Sequence, residues 1–358
     1  MRNVPTQMSG VLLTGHGGPD KLKWSDSIPV PRPGAGQVLV RVLAAGVNNT
    51  DINTRVGWYA REVTGATDAV GDDEGIETGG WDGALQFPLI QGGDLCGEVV
   101  ELGEGVTSFS IGNRVTCPIN MPRPTDENPV GVFVLGSETD GAFAQYCLVE
   151  AADLYDVTAS PLSDVEIAAI PCAYGTAFAM LVKAGVVKGQ SVLITGASGG
   201  VGMAAVQLST ILGAQVTGVT GAAKAEDVRN AGAVATLDRD ADLPEDSFDV
   251  VIDVVGGPTW PAMIRALHYG GHYAVAGAIA GPMVDADLRD IYLRDITIHG
   301  STYQSPEVFA RLVELINEGR FRPLVSKTYP MNQIGQAQED FQSKTLPGKL
   351  VLIPPEVK

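Results

Sequence analysis

"SVLITGASGGVGMAAVQLSTILGAQVTGVTGAAK", residues 191–224, opens on an apolar run, turns through glycines, continues with helical spacing and ends on a second strand-like run. Short apolar runs bounded by turn residues read as buried strands, and apolar residues three and four apart read as a helix. Strand, turn, helix and strand in that order form the unit from which parallel sheets are built. Ala197, Gly199 and Gly202 give the spacing AxGxxG, with Gly200 adding room and Gly196 able to supply the bend. Glycine is needed there where the strand turns, where backbone meets a diphosphate and where helix packs on strand. Ser198, Gly199, Gly200 and Val201 then bring N–H groups to a helix start, whose dipole favours an anion.

The second strand ends "VTGVTG". A site for an unphosphorylated dinucleotide places Asp or Glu there to accept from the adenosine ribose hydroxyl. This chain has Thr220, Gly221 and, three residues on, Lys224. A carboxylate would repel a 2′-phosphate, whereas a hydroxyl, small residues and an ammonium admit one, so NADP(H) is the expected cofactor. The plainer reading of Lys224 is a solvated lysine at a helix start.

The same texture runs outward from this stretch. From about residue 160, strand-like runs such as "FDVVIDVVG" and "GHYAVAGAIA" alternate with helical ones, and the strands are continuously apolar, as in a doubly wound parallel sheet. "PLSDVEIAAIPCAYGTAFAMLVKAG" has helical spacing, with Ser163 as N-cap and Glu166 three residues later. Residues 11–48 instead alternate apolar and polar positions between glycine and proline turns, the pattern of an antiparallel β region, and the first 150 residues read as mainly β. "LVSKTYP" and "KLVLIPP" close the chain as strand-like pieces expected to rejoin that region. Residues 60–86, rich in Gly and Asp, read as a lid near the ligand or as a solvated loop, and their carboxylates do not follow the calcium-loop pattern.

At 358 residues the chain predicts two domains, and 45% hydrophobic with 18% charged residues suits an α/β protein. A net charge of −18 argues against nucleic acid or an anionic membrane as partner. "MRNVPTQMSG" has no apolar signal region, and no apolar run approaches the roughly 18 residues of a membrane span. Cys96, Cys117, Cys147 and Cys172 lie 21, 30 and 25 positions apart, with no CxxC pair, so free thiols in a reducing cytoplasm are expected. His16, His268, His272 and His299 show no metal or triad spacing and are assigned no chemistry.

"GVNNTDINTRVGWY", "GGDLCGEVVELGEGVTSFSIGNRV", "GAFAQYCLV", "AAIPCAYGTAF", "GASGGVGMAAVQL" and "DVVIDVVGG" together resemble the medium-chain dehydrogenase/reductase superfamily, and within it the zinc-free quinone oxidoreductase branch. The resemblance implies a discontinuous GroES-like catalytic domain, 1–157 with 305–358, and a Rossmann NADP-binding domain, 158–304. It implies an NADPH-dependent reduction of a quinone or an α,β-unsaturated carbonyl. Zinc-dependent relatives carry Cys, then His-Glu, then Cys at the catalytic metal. Those positions here are Asn48, Gly93 with Asp94, and Cys172, so no metal is expected and Cys172 reads as a packed thiol.

By the same resemblance Tyr59 is the candidate proton or hydrogen-bond donor, against the alternative of an aromatic wall. Asn48 is a polar group beside the nicotinamide or a turn residue, and Asp51 is read as a helix N-cap before a catalytic acid. Further cofactor contacts implied are Thr176, Gly256, Gly277, Thr302, Tyr303 and, at the pyrophosphate, Lys349. Rival readings are a zinc alcohol dehydrogenase, a non-enzymatic NADPH-binding protein and an enoyl-thioester reductase. The last would want a basic rim, for which only Arg55 and Arg61 lie near. The partners expected are a small-molecule substrate and a second copy of the chain, paired through "RDITIHGSTY".

Overall fold

The computed structural model describes residues 4–60, 62–67, 83–128 and 131–357, so most of the loop expected over 60–86 lies outside the described residues. The chain forms two compact units, Met1–Arg61 with Gly71–Cys172 and Gln304–Lys358, and Glu62–Val70 with Ala173–Tyr303.

The second unit carries a six-stranded sheet in the spatial order Ala235–Leu237, Gln215–Val219, Ser191–Ile194, Phe248–Asp253, Leu267–Val275 and Thr297–Gly300. All its pairings are parallel. Numbered along the chain the order is 3-2-1-4-5-6, the Rossmann arrangement, and its reversal beside the first strand leaves a crevice at the carboxyl ends. Val192, Leu193 and Ile194 are fully buried because the strand has neighbours on both edges and is covered on both faces. The helix Gly200–Ile211 follows that first strand with Gly199 at its N-cap. A Cβ on Gly202 would lie 2.2 Å from Gly196 O, so only glycine lets the helix sit this close to the turn. Gly196 itself has φ 55°, the left-handed backbone the bend demands.

The first unit is β-rich. Its main sheet runs Val325–Pro330, Lys349–Ile353, Gln37–Val47, Cys96–Leu102, Arg114–Thr116 and Tyr155–Asp156, with Tyr146–Glu150 also paired to Gln37–Val47. Alternating valines of "QVLVRVLAAGV" send Val38, Val40 and Val42 into a core with Val99, Val115, Phe143 and Leu352. The C-terminal strand pairs antiparallel with that strand, setting Leu350 opposite Val47 and so bringing Lys349 to the start of the helix Asn49–Val56.

Residues 158–172 belong to this unit. The single helical pattern read across them is broken in two, Asp164–Ala168 and Pro171–Lys183, because proline is tolerated in a first helical turn and not inside a helix. Ser163 and Glu166 form the expected capping box, each side chain accepting the other's backbone N–H, at 3.3 and 2.8 Å. Among the described residues no helix is long and apolar enough to cross a membrane.

Candidate active site

In the second unit the candidate nucleotide contacts fall at the carboxyl ends of successive strands. Ala197, Ser198, Gly199, Gly200, Val201 and Gly202 follow the first strand, Thr220 and Lys224 the second, Gly256 the fourth, Gly277 the fifth, Thr302 and Tyr303 the last. Gly256 has φ 62°, and its N–H donates to the buried Asp253 carboxylate, which also accepts from Thr195 Oγ1 and Tyr273 OH, both at 2.5 Å. A Cβ on Gly277 would come within 3.1 Å of Val254 O. Thr176 is half-buried on the helix Pro171–Lys183.

The third strand contributes a residue the sequence reading missed. Arg239 lies just past Ala235–Leu237, and its guanidinium comes within 3.7–3.9 Å of where a Cβ on Gly221 would stand. Lys224 is held below the ordinary lysine range, first by partial burial and then by Arg239. Two cations therefore face the end of the second strand, where Thr220 is buried with its Oγ1 lacking a hydrogen-bond partner. That group suits a phosphate monoester. Only the spatial neighbourhood of the second and third strands reveals Arg239.

In the first unit a polar cluster forms around the start of the helix Asn49–Val56. Asn48 is the N-cap, and Asp51, read from sequence as the cap, is the third helical residue; its carboxylate accepts the Asn48 N–H at 2.8 Å. Burial pushes the Asp51 carboxyl up to about 7, helped by the Asp94 charge and opposed by the Asn48 and Gly93 N–H groups and by Lys349. Lys349, read as a pyrophosphate contact, turns its ammonium inward instead. It donates to Asp94 Oδ2 at 2.9 Å, to Val47 O at 3.0 Å and to Asn48 Oδ1, and only 2% of the residue is exposed. The other Asp94 oxygen accepts the Cys172 N–H at 2.6 Å. Burial, then the Asp94 charge, pushes the Cys172 thiol up to about 12.

Tyr59 lies past the end of the same helix, where Gly57, with φ 74°, turns the chain. Its hydroxyl donates to Thr50 Oγ1 at 3.4 Å, its ring meets Trp58 edge-on at 5.6 Å, and burial pushes the phenol up to about 12. At neutral pH it is therefore a protonated donor. Arg55 is no rim residue: it is buried, donating to Gln338 Oε1 at 3.0 Å and to the Gly17 carbonyl. Arg61 lies outside the described residues.

Both parts of the chain have matches among known proteins. The alcohol dehydrogenase GroES-like domain family matches residues 34–159, and the zinc-binding dehydrogenase family matches residues 200–318. A solved structure from Sinorhizobium meliloti 1021, provisionally assigned as an alcohol dehydrogenase, is 40% identical with a TM-score of 0.88 and 99% of each chain covered. The chain belongs to the medium-chain dehydrogenase/reductase superfamily. An acryloyl-coenzyme A reductase of Metallosphaera sedula is 29% identical, covering 96% of this chain and 99% of its own. A quinone oxidoreductase of Lama guanicoe is 28% identical, covering 97% and 98%.

Superfamily members that use zinc need three protein ligands with free lone pairs and an open fourth position. The residues present do not fit that ion. Gly93 offers no ligand atom, and a Cβ there would lie 2.3 Å from Ile119 Cδ1, so a larger residue would meet Ile119. Asn48 Oδ1 and Asp94 Oδ2 each accept from the Lys349 ammonium, and Asp94 Oδ1 accepts the Cys172 N–H.

Proposed function

We propose that this chain is an NADPH-dependent reductase of α,β-unsaturated carbonyls or quinones that works without a metal. One observation carries the reading: Lys349 donates to Asn48 Oδ1 and Asp94 Oδ2 while Ile119 fills the space beside Gly93. A bound Lewis acid would activate an alcohol for oxidation by lowering its hydroxyl pKa, and these residues do not build a site for one. A conjugated acceptor delocalises incoming charge itself and asks only for hydrogen-bond donors at its oxygen. Tyr59, protonated, and Asn48 are such donors, and Tyr59 could pass its proton on.

The nucleotide turn fits a dinucleotide phosphate: Gly196–Gly202 supplies backbone N–H groups and the close helix approach, and Lys224 with Arg239 suits a 2′-phosphate. When bound, NADPH supplies the hydride. The two relatives named for acryloyl-coenzyme A and for quinones reduce conjugated acceptors, which supports the substrate class.

The test is a panel of enones, quinones, enoyl thioesters and simple alcohols, read by NADPH and NADH oxidation or formation in wild type and Tyr59→Phe. Conjugated acceptors should be reduced with NADPH, and the variant should lose about 10–100-fold in kcat with its KM for NADPH unchanged. Turnover confined to saturated alcohols with added zinc would sink the proposal. Equal loss of kcat and NADPH affinity in the variant would remove Tyr59 from the chemistry.

A further inference from the structure

Lys349 has three acceptors around its ammonium: Val47 O, Asp94 Oδ2 and Asn48 Oδ1. An ammonium has donors only, so the amide atom of Asn48 that faces it is the oxygen. The other amide atom, Nδ2, is thereby turned away, and it is buried without an acceptor. Leaving a buried N–H unpaired is costly, and folding ordinarily rotates the amide to avoid it. Here the charge-assisted bond from Lys349 forbids that rotation.

Asp94 serves the same end. One of its oxygens holds the ammonium and the other is held by the Cys172 N–H. Gly46 lets the carboxylate in, since a Cβ there would stand 2.4 Å from Asp94 Oδ2. The chain runs from the Cys172 backbone through Asp94 and Lys349 to the Asn48 amide, each link fixing the next.

We propose that Lys349 is a positioning residue: held by Asp94, it locks Asn48 so that Nδ2 stands as a preset donor for the carbonyl oxygen of the conjugated acceptor. The inference rests on the proposed reduction of such acceptors and adds which group is aimed at the oxygen and what aims it. An oxyanion donor works best when its orientation is set before the substrate arrives.

Removing one partner of a buried ion pair can unfold a protein, whereas removing both is often tolerated. The decisive variant is therefore Lys349→Met with Asp94→Asn, measured alone and combined with Asn48→Ala, by thermal melting and steady-state kinetics with NADPH and an enone. A locked donor predicts a melting temperature near wild type, an unchanged KM for NADPH, and kcat lowered at least tenfold. Asn48→Ala should then cost less than twofold more, because an unlocked amide has already lost its use.

A purely structural pair predicts wild-type kcat once the melt is restored, and that result would overturn the proposal. So would an Asn48→Ala loss as large in the double variant as in wild type. If the double variant fails to fold, Lys349→Arg keeps the charge opposite Asp94 while a planar fork replaces the ammonium. The same drop in kcat at constant KM for NADPH supports the lock, and full turnover overturns it. A wild type inactive on every conjugated acceptor would end the proposed function along with this role; an active wild type with a fully active double variant ends only this one.

Discussion

Asp51 holds a proton that most carboxyls would have given up. It is 4% exposed, and the groups that face it are Asp94, Lys349 and the N–H groups of Asn48 and Gly93. With a folded value near 7 against an unfolded one near 3.8, the folded state keeps the proton between those limits while the unfolded chain does not. Its contribution to stability is therefore fully present below pH 4 and is lost as pH rises to about 7, by up to roughly 4 kcal/mol. Asp51→Asn keeps an acceptor for the Asn48 N–H and cannot ionise. The gap in melting temperature between wild type and this variant should shift steadily in the variant's favour from pH 4 to pH 7 and then level off. A pH-independent gap would show that Asp51 is charged throughout. None of this is legible locally: Asp94 and Lys349 are 255 positions apart, and what pairs them is a strand register that spacing alone does not give.

At the scale of elements, the glycine turn was legible because its requirements are local. The spacing from Ala197 to Gly202 maps onto contacts within one strand and one helix, down to the absent Cβ of Gly202. The break at Pro171 was missed because the apolar spacing continues across it. His272 and His299 look unrelated in sequence, yet adjacent parallel strands stack their rings 5.2 Å apart with a 2.9 Å contact between Nδ1 and Nε2.

Arg239 is the functional counterpart of that miss, lying a strand away from Lys224 and converging with it. If these two cations select the phosphorylated cofactor, Lys224→Ala with Arg239→Ala should cut the preference for NADPH over NADH about 10–100-fold, mostly through KM for NADPH. An unchanged preference would leave them as surface charges.

Across the whole molecule, the doubly wound sheet and the β-rich unit follow from the switch between period-two and helical patterning along the chain. Quaternary structure needs surface detail. Thr297–Gly300 is the last strand of its sheet, and Ile298, Tyr292 and Leu293 near it are 44%, 62% and 60% exposed. Bare edges of this kind are normally covered or charged. Pairing of two copies through this edge is the expected state, giving about twice the monomer mass by light scattering. Ile298→Lys, a charge on the edge, should shift it to monomer, and a monomeric wild type at micromolar concentration would dismiss the idea.

The C-terminal strand also dictates an order of events during synthesis. Lys349–Ile353 lies between Val325–Pro330 and Gln37–Val47, so the earlier strand cannot complete its sheet until Lys349, 302 positions after Val47, has been made. The unit containing Ala173–Tyr303 needs no such late arrival and can close while translation continues. Until Lys349–Ile353 arrives, Gln37–Val47 keeps part of one edge open, the kind of edge that a chaperone shields.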